Sequence, residues 1–278
     1  MFELFEETTA GCSRLVTNKY STSFSLGIKL LAKENRWAVY AIYGMVRFAD
    51  EIVDTFERED KAELLAKFRA DTFEALEKRI SLNPILHQFQ KAALKFNIGN
   101  DLITPFFESM SEDLEKKKHN DNSYSDYIYG SAEVVGLMCL KVFCEGNHQM
   151  YDSLKSPARN LGAAFQKVNF LRDLKSDVED LGRLYFPGMD MGTFNEESKN
   201  AIIEEVKSDF KKAYEGILRL PLGCRFGVYI AYIYYLKLLE KLERTNVKLL
   251  FEKRVRIDNK SKMIILATSY VRYKANAL

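Results

Sequence analysis

Proline, glycine and cysteine are all scarce in this chain of 278 residues, which contains 5 prolines, 14 glycines and 4 cysteines. No Ser/Gly-rich linker or low-complexity tract divides it, so a single domain over residues 1–278 is the simplest organisation. The cysteines form no CxxC pair, and no histidine lies at metal-ligand spacing from them. This pattern gives no support to a zinc site or a His-centred triad, and it is typical of buried thiols in a reducing compartment.

The chain also lacks a strong net charge and a long hydrophobic run. Its 41 Lys and Arg residues nearly balance 39 Asp and Glu residues, and Lys116–Lys118 is the most basic run, so nucleic acid is not expected as a partner. The acidic N-terminus, MFELFEETTAGCSR, is not typical of a secretory signal. The longest apolar stretch, residues 226–236, is too short to span a bilayer. We therefore expect a cytoplasmic protein, with peripheral contact to the inner membrane and the oligomeric state left open.

Helix signals dominate what is present, whereas the alternating pattern of strands is nearly absent. Asn83-Pro84, Thr104-Pro105 and Ser156-Pro157 each place a capping residue before a proline, which predicts a helix N-terminus at each. Apolar periodicity predicts further helices at about 31–57, 61–80, 123–147, 195–217, 223–246 and 260–275. The predicted fold class is all-α, a bundle with apolar helices at its centre.

One apolar helix, "YAIYGMVRFADEIVDTF" (residues 40–56), carries four charges close together. At 100° per residue, these charges and one tyrosine fall within an arc of about 80–100°: Tyr43, Arg47, Asp50, Glu51 and Asp54. A solvated face with an Arg47–Asp50 pair would be the ordinary explanation. The other faces of this helix are, however, too apolar for a surface helix.

A second stripe in "GAAFQKVNFLRDLKSDVEDLGRLYFP" (residues 162–187) explains the first. Its polar side chains follow offsets of three, four, four and three: Gln166, Asn169, Asp173, Asp177 and Asp180. Two rows of carboxylates facing one another would repel unless cations lie between them. Oxygen ligands without histidine or cysteine favour Mg²⁺, with Mn²⁺ as the alternative, and Mg²⁺ typically bridges carboxylates to substrate phosphates. The predicted ligand is a diphosphate.

The chain resembles the squalene/phytoene synthases, the head-to-head trans-isoprenyl diphosphate synthases, and among them bacterial phytoene synthases. The resemblance covers nearly the whole chain and is carried by five segments: "YSTSFSLGIKLL" (20–31), "AIYGMVRFADEIVD" (41–54), "YIYGSAEVVGLM" (127–138), "FQKVNFLRDLKSDVEDLGRLYFP" (165–187) and "YLKLLEKLE" (235–243). It implies an isoprenoid synthase bundle with a central cavity.

The resemblance also implies roles for the matching residues. The implied metal ligands are Asp50, Asp54, Asn169, Asp173 and Asp177. The implied substrate-binding residues are Ser21, Ser23, Phe24, Arg47, Gln166, Asn169 and Arg172. The implied catalytic set joins the four aspartates and Arg47 to the cavity tyrosines Tyr43, Tyr127 and Tyr235. The sequence departs from the family at Lys175 and Ser176, where the second motif usually has a Gly-Glu-Asp-like sequence, and at Glu133, which would place a carboxylate near the cavity wall.

The activity implied by the resemblance is the 1-1′ condensation of two geranylgeranyl diphosphates to phytoene, through a cyclopropylcarbinyl (prephytoene) diphosphate, in carotenoid biosynthesis. NADPH is not expected. Condensation of farnesyl diphosphate to dehydrosqualene, or to squalene where NADPH is used, remains an alternative. A non-catalytic assembly or binding factor of the same fold is an alternative of another class, although the intact carboxylate rows favour catalysis.

Overall fold

The chain folds into α-helices joined by short loops, which confirms the predicted all-α class. The computed structural model describes residues 1–115, 120–180, 182–189 and 192–275, so the basic run Lys116–Lys118 lies outside the described residues. In chain order the helices are α1 (Phe2–Tyr20), α2 (Thr22–Lys29), α3 (Lys33–Asp50), α4 (Lys61–Lys78), α5 (Pro84–Phe96), α6 (Asn100–Glu115), α7 (Asp121–Ile128), α8 (Val134–Cys144), α9 (His148–Glu179), α10 (Glu196–Arg219), α11 (Leu222–Glu243), α12 (Val247–Glu252) and α13 (Asn259–Lys274).

Single π-helical turns interrupt two of the predicted helices. Glu51–Thr55 follows α3 directly, and Tyr129–Glu133 joins α7 to α8. The predicted helices 31–57 and 123–147 are therefore not continuous α-helices. A π turn winds more residues into one turn than an α-helix does, and such turns often occur at functional sites. The predicted helices at 61–80, 195–217, 223–246 and 260–275 are confirmed to within a few residues.

The proline signals have different outcomes. Asn83-Pro84 does begin a helix, and the Asn83 side chain accepts hydrogen bonds from the backbone N–H groups of Ile85 and Leu86. The predicted starts at Thr104-Pro105 and Ser156-Pro157 are wrong, because Pro105 lies inside α6 and Pro157 inside α9. A cap before a proline is thus a local preference that tertiary packing can override.

Packing explains how α9 continues through Pro157. A proline has no N–H to donate to the carbonyl four residues before it, and the Ser153 carbonyl instead accepts a hydrogen bond from Arg219 Nη2 at 3.3 Å. Helix α10 approaches this point closely because Gly216 has no side chain, and a Cβ there would overlap Pro157. The helix actually begins at Asn147, whose side chain accepts from the Met150 N–H at 2.9 Å.

Two buried hydrophobic clusters support a central cavity. The first is built mainly from α3, α5, α6 and α8, and the second mainly from α9, α10 and α11. Residues of both clusters line the cavity, which therefore lies between them. Cys144 and Cys224 are buried as predicted, whereas Cys12 and Cys139 are half-buried, and Cys139 faces the cavity.

One helical stretch, Asn122–Cys144, is long and apolar enough to cross a membrane, with a mean hydropathy of 1.4 over its most apolar part. However, 56% of that part is buried inside the fold, where it packs on α6 and α9. Burial against these helices explains its apolar composition without a membrane.

Candidate active site

The central cavity has a volume of about 510 Å³ and is bounded by α2, α3, α8, α9, α10 and α11. Along α3 its lining changes from Val39 and Ile42 to Asp50, and along α9 it changes from Leu154 and Leu161 to a run of polar and charged residues. The two helices thus bring their C-terminal ends to one charged end of the cavity. The remainder of the cavity is largely apolar.

Nearly all of the site residues indicated by the sequence line this cavity. They are Ser21, Phe24, Tyr43, Arg47, Asp50, Asp54, Tyr127, Gln166, Asn169, Arg172, Asp173, Asp177 and Tyr235. The structure does not place Ser23 among the lining residues, because Phe24, Gly27 and Ile28 share the inner face of α2 and Ser23 lies off it. The hydroxyl of Ser21 also caps α2 by accepting from the Phe24 N–H at 3.1 Å.

The first carboxylate row surrounds Arg47. Its Nη2 donates to Glu51, Nη1 lies 3.7 Å from Asp50 Oδ2, and the guanidinium lies over the ring of Tyr20 at 4.5 Å. Glu51, which had no assigned role in the sequence, therefore orients the arginine. The buried Nε of Arg47 has no hydrogen-bond partner among the described residues, so one donor of this guanidinium is not used within the protein.

The second carboxylate row centres on Asp173, which lies between two arginines. Arg172 donates from Nε to Oδ1 at 2.9 Å and from Nη2 to Oδ2 at 2.5 Å, and Arg254 Nε lies 2.7 Å from Oδ1. Asn169 accepts from the Tyr235 hydroxyl at 3.2 Å. The amide, the carboxylate and the arginines are thereby fixed at the same end of the cavity as the first row.

The remaining carboxylates are poorly compensated in the protein alone. Burial raises the pKa of Asp50 to about 7, and the charge of Asp54 adds to this shift. Burial likewise raises the pKa of Asp177 to about 8, with a further contribution from Asp173. Buried carboxylates that hinder one another's ionisation are stabilised as anions by a cation placed between them.

The side chains at the charged end that could bind a metal are carboxylates and amides, whose oxygens suit a hard cation. In the described ranges of the chain, no three His, Cys, Asp or Glu side chains converge closely enough to hold a metal by themselves. A cation bound here would need further ligands from substrate and water. Mg²⁺ behaves in this way, since it keeps several waters and binds through one or two carboxylates together with substrate phosphates.

Sequence reasoning missed a buried polar network beside Asp54. Arg183, which follows α9, donates from Nη1 to Asp54 Oδ1 at 2.9 Å and from Nη2 to the Asp113 carbonyl at 2.7 Å. The carboxylate of Asp113 accepts from the hydroxyls of Tyr127 at 2.7 Å and Tyr185 at 3.2 Å. This network ties the end of the second motif to α6 and to the π turn after α3.

Helical periodicity could not have identified these residues, for two different reasons. Arg183 and Tyr185 belong to the quoted second motif, but they lie beyond the end of α9, so helical periodicity could not orient them. Asp113 lies on α6 in the polar segment SEDLE (111–115), so the sequence does not distinguish it from a solvent-exposed carboxylate. Burial raises its pKa to about 7 even though the Arg183 charge opposes the shift.

Aromatic rings line the wall next to the charged end. The ring of Phe24 lies about 6 Å from those of Tyr43, Phe165 and Tyr235, at 6.0, 6.0 and 5.8 Å. Phe165 and Tyr235 stack at 4.1 Å. Ring faces in such positions attract a cation through their quadrupoles.

The residues that depart from the family pattern do not line the cavity. Glu133 follows the lining residue Ala132, so it lies near the cavity wall as expected, but it pairs with Arg159, whose Nε lies 2.5 Å from Oε2. Lys175 lies 3.7 Å from Glu179 on the outer side of α9. Asp180, the last member of the second stripe, is exposed just beyond the end of α9.

Comparison with known proteins gives a family match over most of the chain. The family model described as squalene/phytoene synthase matches residues 17–261. Phytoene synthase 1 of Zea mays is 28% identical over 92% of this chain and 66% of its own length, so this chain spans slightly less than two thirds of that relative. The 4,4'-diapophytoene synthase of Staphylococcus haemolyticus is 27% identical over 73% of this chain and 69% of its own length.

The fold also matches a solved structure. A dehydrosqualene synthase in complex with a ligand superimposes with a TM-score of 0.83, at 20% identity, over 97% of this chain and 98% of that protein. At this identity the likeness supports the helical fold.

Proposed function

As this chain belongs to the squalene/phytoene synthase family, we propose that it condenses two molecules of geranylgeranyl diphosphate head to head to form phytoene. The family consists of prenyltransferases that act on prenyl diphosphates. One observation carries the proposal: two carboxylate rows, one on α3 and its π turn and one on α9, each with at least one arginine beside it, open onto one cavity that continues as an apolar space. Such a cavity suits a charged head and a long hydrocarbon tail.

The arginines would bind the diphosphates. Arg47, Arg172 and Arg254 all line the charged end, and guanidinium groups match phosphate oxygens through paired N–H donors. Mg²⁺, or Mn²⁺ in its place, held by Asp50, Asp54, Asn169, Asp173 and Asp177 would neutralise charge on the leaving diphosphate. The arginines would share in this neutralisation and hold C1 of the substrate toward the apolar space.

The cavity wall would then protect the carbocation. In the proposed reaction, the C1–O bond of one substrate breaks and the 2,3-double bond of the second attacks C1. Loss of a proton from the attacked C1 then closes the three-membered ring to give a cyclopropylcarbinyl diphosphate. A second ionisation and rearrangement, followed by loss of a second proton, give phytoene, two diphosphates and two protons overall. Phe24, Phe165 and Tyr235 present rings that exclude water and can stabilise positive charge.

Farnesyl diphosphate is the alternative substrate. The similarity to a diapophytoene synthase at 27% identity favours considering it. Both substrates carry the same diphosphate and would use the same charged end. They differ only in how far the tail extends into the apolar part of the cavity.

The test offers both substrates together. Purified protein is incubated with equal concentrations of farnesyl and geranylgeranyl diphosphates and Mg²⁺, with and without NADPH, and products and released diphosphate are quantified. We expect phytoene as the main product and no effect of NADPH. A dominant C30 product would show that farnesyl diphosphate is the preferred substrate. Absence of diphosphate release would contradict an enzymatic function.

A further inference from the structure

Helix α13 has apolar side chains on two opposite faces. On its inner face, Leu266 and Tyr273 pack against the second core cluster, and the Tyr273 ring lies 4.8 Å from that of Phe226 on α11. The inner contacts attach α13 to the bundle. A surface helix attached in this way ordinarily has a polar outer face.

The outer face of α13 is instead apolar and exposed. Met263, Ile264 and Val271 expose 63%, 63% and 66% of their surface, and Ala267 between them is also exposed. At 100° per residue these side chains lie within an arc of about 100°, and they form what we term the α13 outer face. Several exposed apolar side chains grouped on one helix face indicate an interaction surface.

The charges around this face have one sign. From Asn259 to Ala275 the sequence contains Lys260, Lys262, Arg272 and Lys274 and no Asp or Glu. Lys260 and Lys274 lie at the two ends of the outer face by helical spacing, and both are exposed. Asp258 precedes the helix and caps it by accepting from Ser261.

We propose that the α13 outer face docks on an anionic lipid surface. Apolar side chains would enter the boundary between headgroups and acyl chains, while the flexible lysines at the ends would reach anionic headgroups. A second copy of the chain is a poorer occupant, because a symmetric contact would bring the same cations face to face. The docking does not depend on the proposed reaction.

The position of α13 gives the docking a consequence for the cavity. Lys262 Nζ donates to Thr22 Oγ1 at 2.7 Å, next to Ser21 and Phe24 in the cavity lining. Helix α13 also packs on α11, whose opposite side contributes lining residues such as Tyr235. Docking would therefore hold one wall of the cavity against the lipid, into which an apolar product partitions.

Vesicle sedimentation tests the proposal. We expect the wild-type protein to sediment with vesicles that contain phosphatidylglycerol, less with pure phosphatidylcholine, and less when salt is raised. The double variant Ile264→Ser/Val271→Ser should bind at least about tenfold more weakly. Lys260→Gln/Lys274→Gln should lose the preference for phosphatidylglycerol. Leu82→Ser/Leu94→Ser, which alters exposed leucines outside α13, is the matched control and should bind like wild type.

Several results would overturn the inference. One is wild-type protein that stays in the supernatant with every vesicle, and another is an outer-face variant that binds as wild type does. A wild-type dimer that the outer-face variant converts to monomer, with vesicle binding unchanged, would assign the face to a second copy. Circular dichroism melting checks the fold of each variant. Diphosphate release without vesicles should be unaffected, which separates a failure of docking from a failure of the proposed reaction.

Discussion

Among single residues, Asp50 gives the most direct test of the proposed reaction. It lies at the charged end of the cavity, and burial raises its pKa to about 7, which is the property of a carboxylate that gains stability from a bound cation. We predict that Asp50→Asn or Asp173→Asn lowers the rate of diphosphate release by at least about 100-fold, because a charge that supports the leaving group is lost. Release of diphosphate at saturating substrate measures this loss.

The chain offers a control at the end of the same stripe. Asp180 is exposed beyond α9 and does not line the cavity, so Asp180→Asn should keep the wild-type rate. Equal rates for Asp50→Asn and Asp180→Asn would refute the metal assignment. Unchanged melting temperatures for these variants would show that the difference is chemical.

Arg183 is a buried residue that holds Asp54 in place at the charged end of the cavity. Its side chain is 8% exposed and bonds to Asp54 and to the Asp113 carbonyl. Removing one partner from a buried ion pair is strongly destabilising. We predict that Arg183→Met lowers the free energy of unfolding by about 3 kcal/mol, measured by urea denaturation, and that Arg183→Lys loses less because it keeps the charge. Arg58→Met, at the exposed Arg58–Asp60 pair, should leave the urea midpoint unchanged.

At the scale of helices, replacing a glycine by alanine is expected to change stability in opposite directions at two sites. A Cβ at Gly216 would overlap Pro157, whereas a Cβ at Gly11 in α1 would meet no atom within 4 Å. Gly216→Ala should destabilise by about 1–3 kcal/mol through overpacking, and Gly11→Ala should stabilise by about 0.5–1 kcal/mol through helix propensity. Urea unfolding of both variants checks the signs. A stabilised Gly216→Ala would show that α9 and α10 are less tightly packed than the structure indicates.

The helices also show where local sequence signals fail. Asn83 before Pro84 begins α5, but Ser156 before Pro157 does not begin a helix, because Arg219 binds the carbonyl that the proline leaves without a donor. That arginine is 66 residues away in the chain. A contact so distant in sequence leaves no local signal. The π turns that interrupt the predicted helices also leave no signal, because a helical projection at 100° per residue assumes a regular α-helix.

For the whole molecule, the sequence allowed the all-α class and the two stripes to be predicted, because periodicity reports which residues share a helix face. The structure brings both stripes to one cavity. Arg183 and Asp113 could not be predicted in the same way, since their contacts connect a loop, a π turn and α6. The residues that close the apolar end likewise depend on how the helices pack.

The apolar end therefore carries the last prediction, which concerns chain length. Val39 lines the cavity on α3, 11 residues before Asp50, which is about 16 Å along the helix. We predict that Val39→Phe lowers the ratio of C40 to C30 products by about tenfold, since one ring occupies space that the longer tail needs.

The charged end should not change in this variant. The Mg²⁺ concentration for half-maximal activity is expected to match that of wild type, because Val39 is remote from both carboxylate rows. Val271→Phe, at an exposed position on α13, should retain the wild-type product ratio in assays without vesicles. A Val39→Phe enzyme with the original ratio and an altered Mg²⁺ requirement would mean that tail and diphosphate occupy the cavity in another orientation.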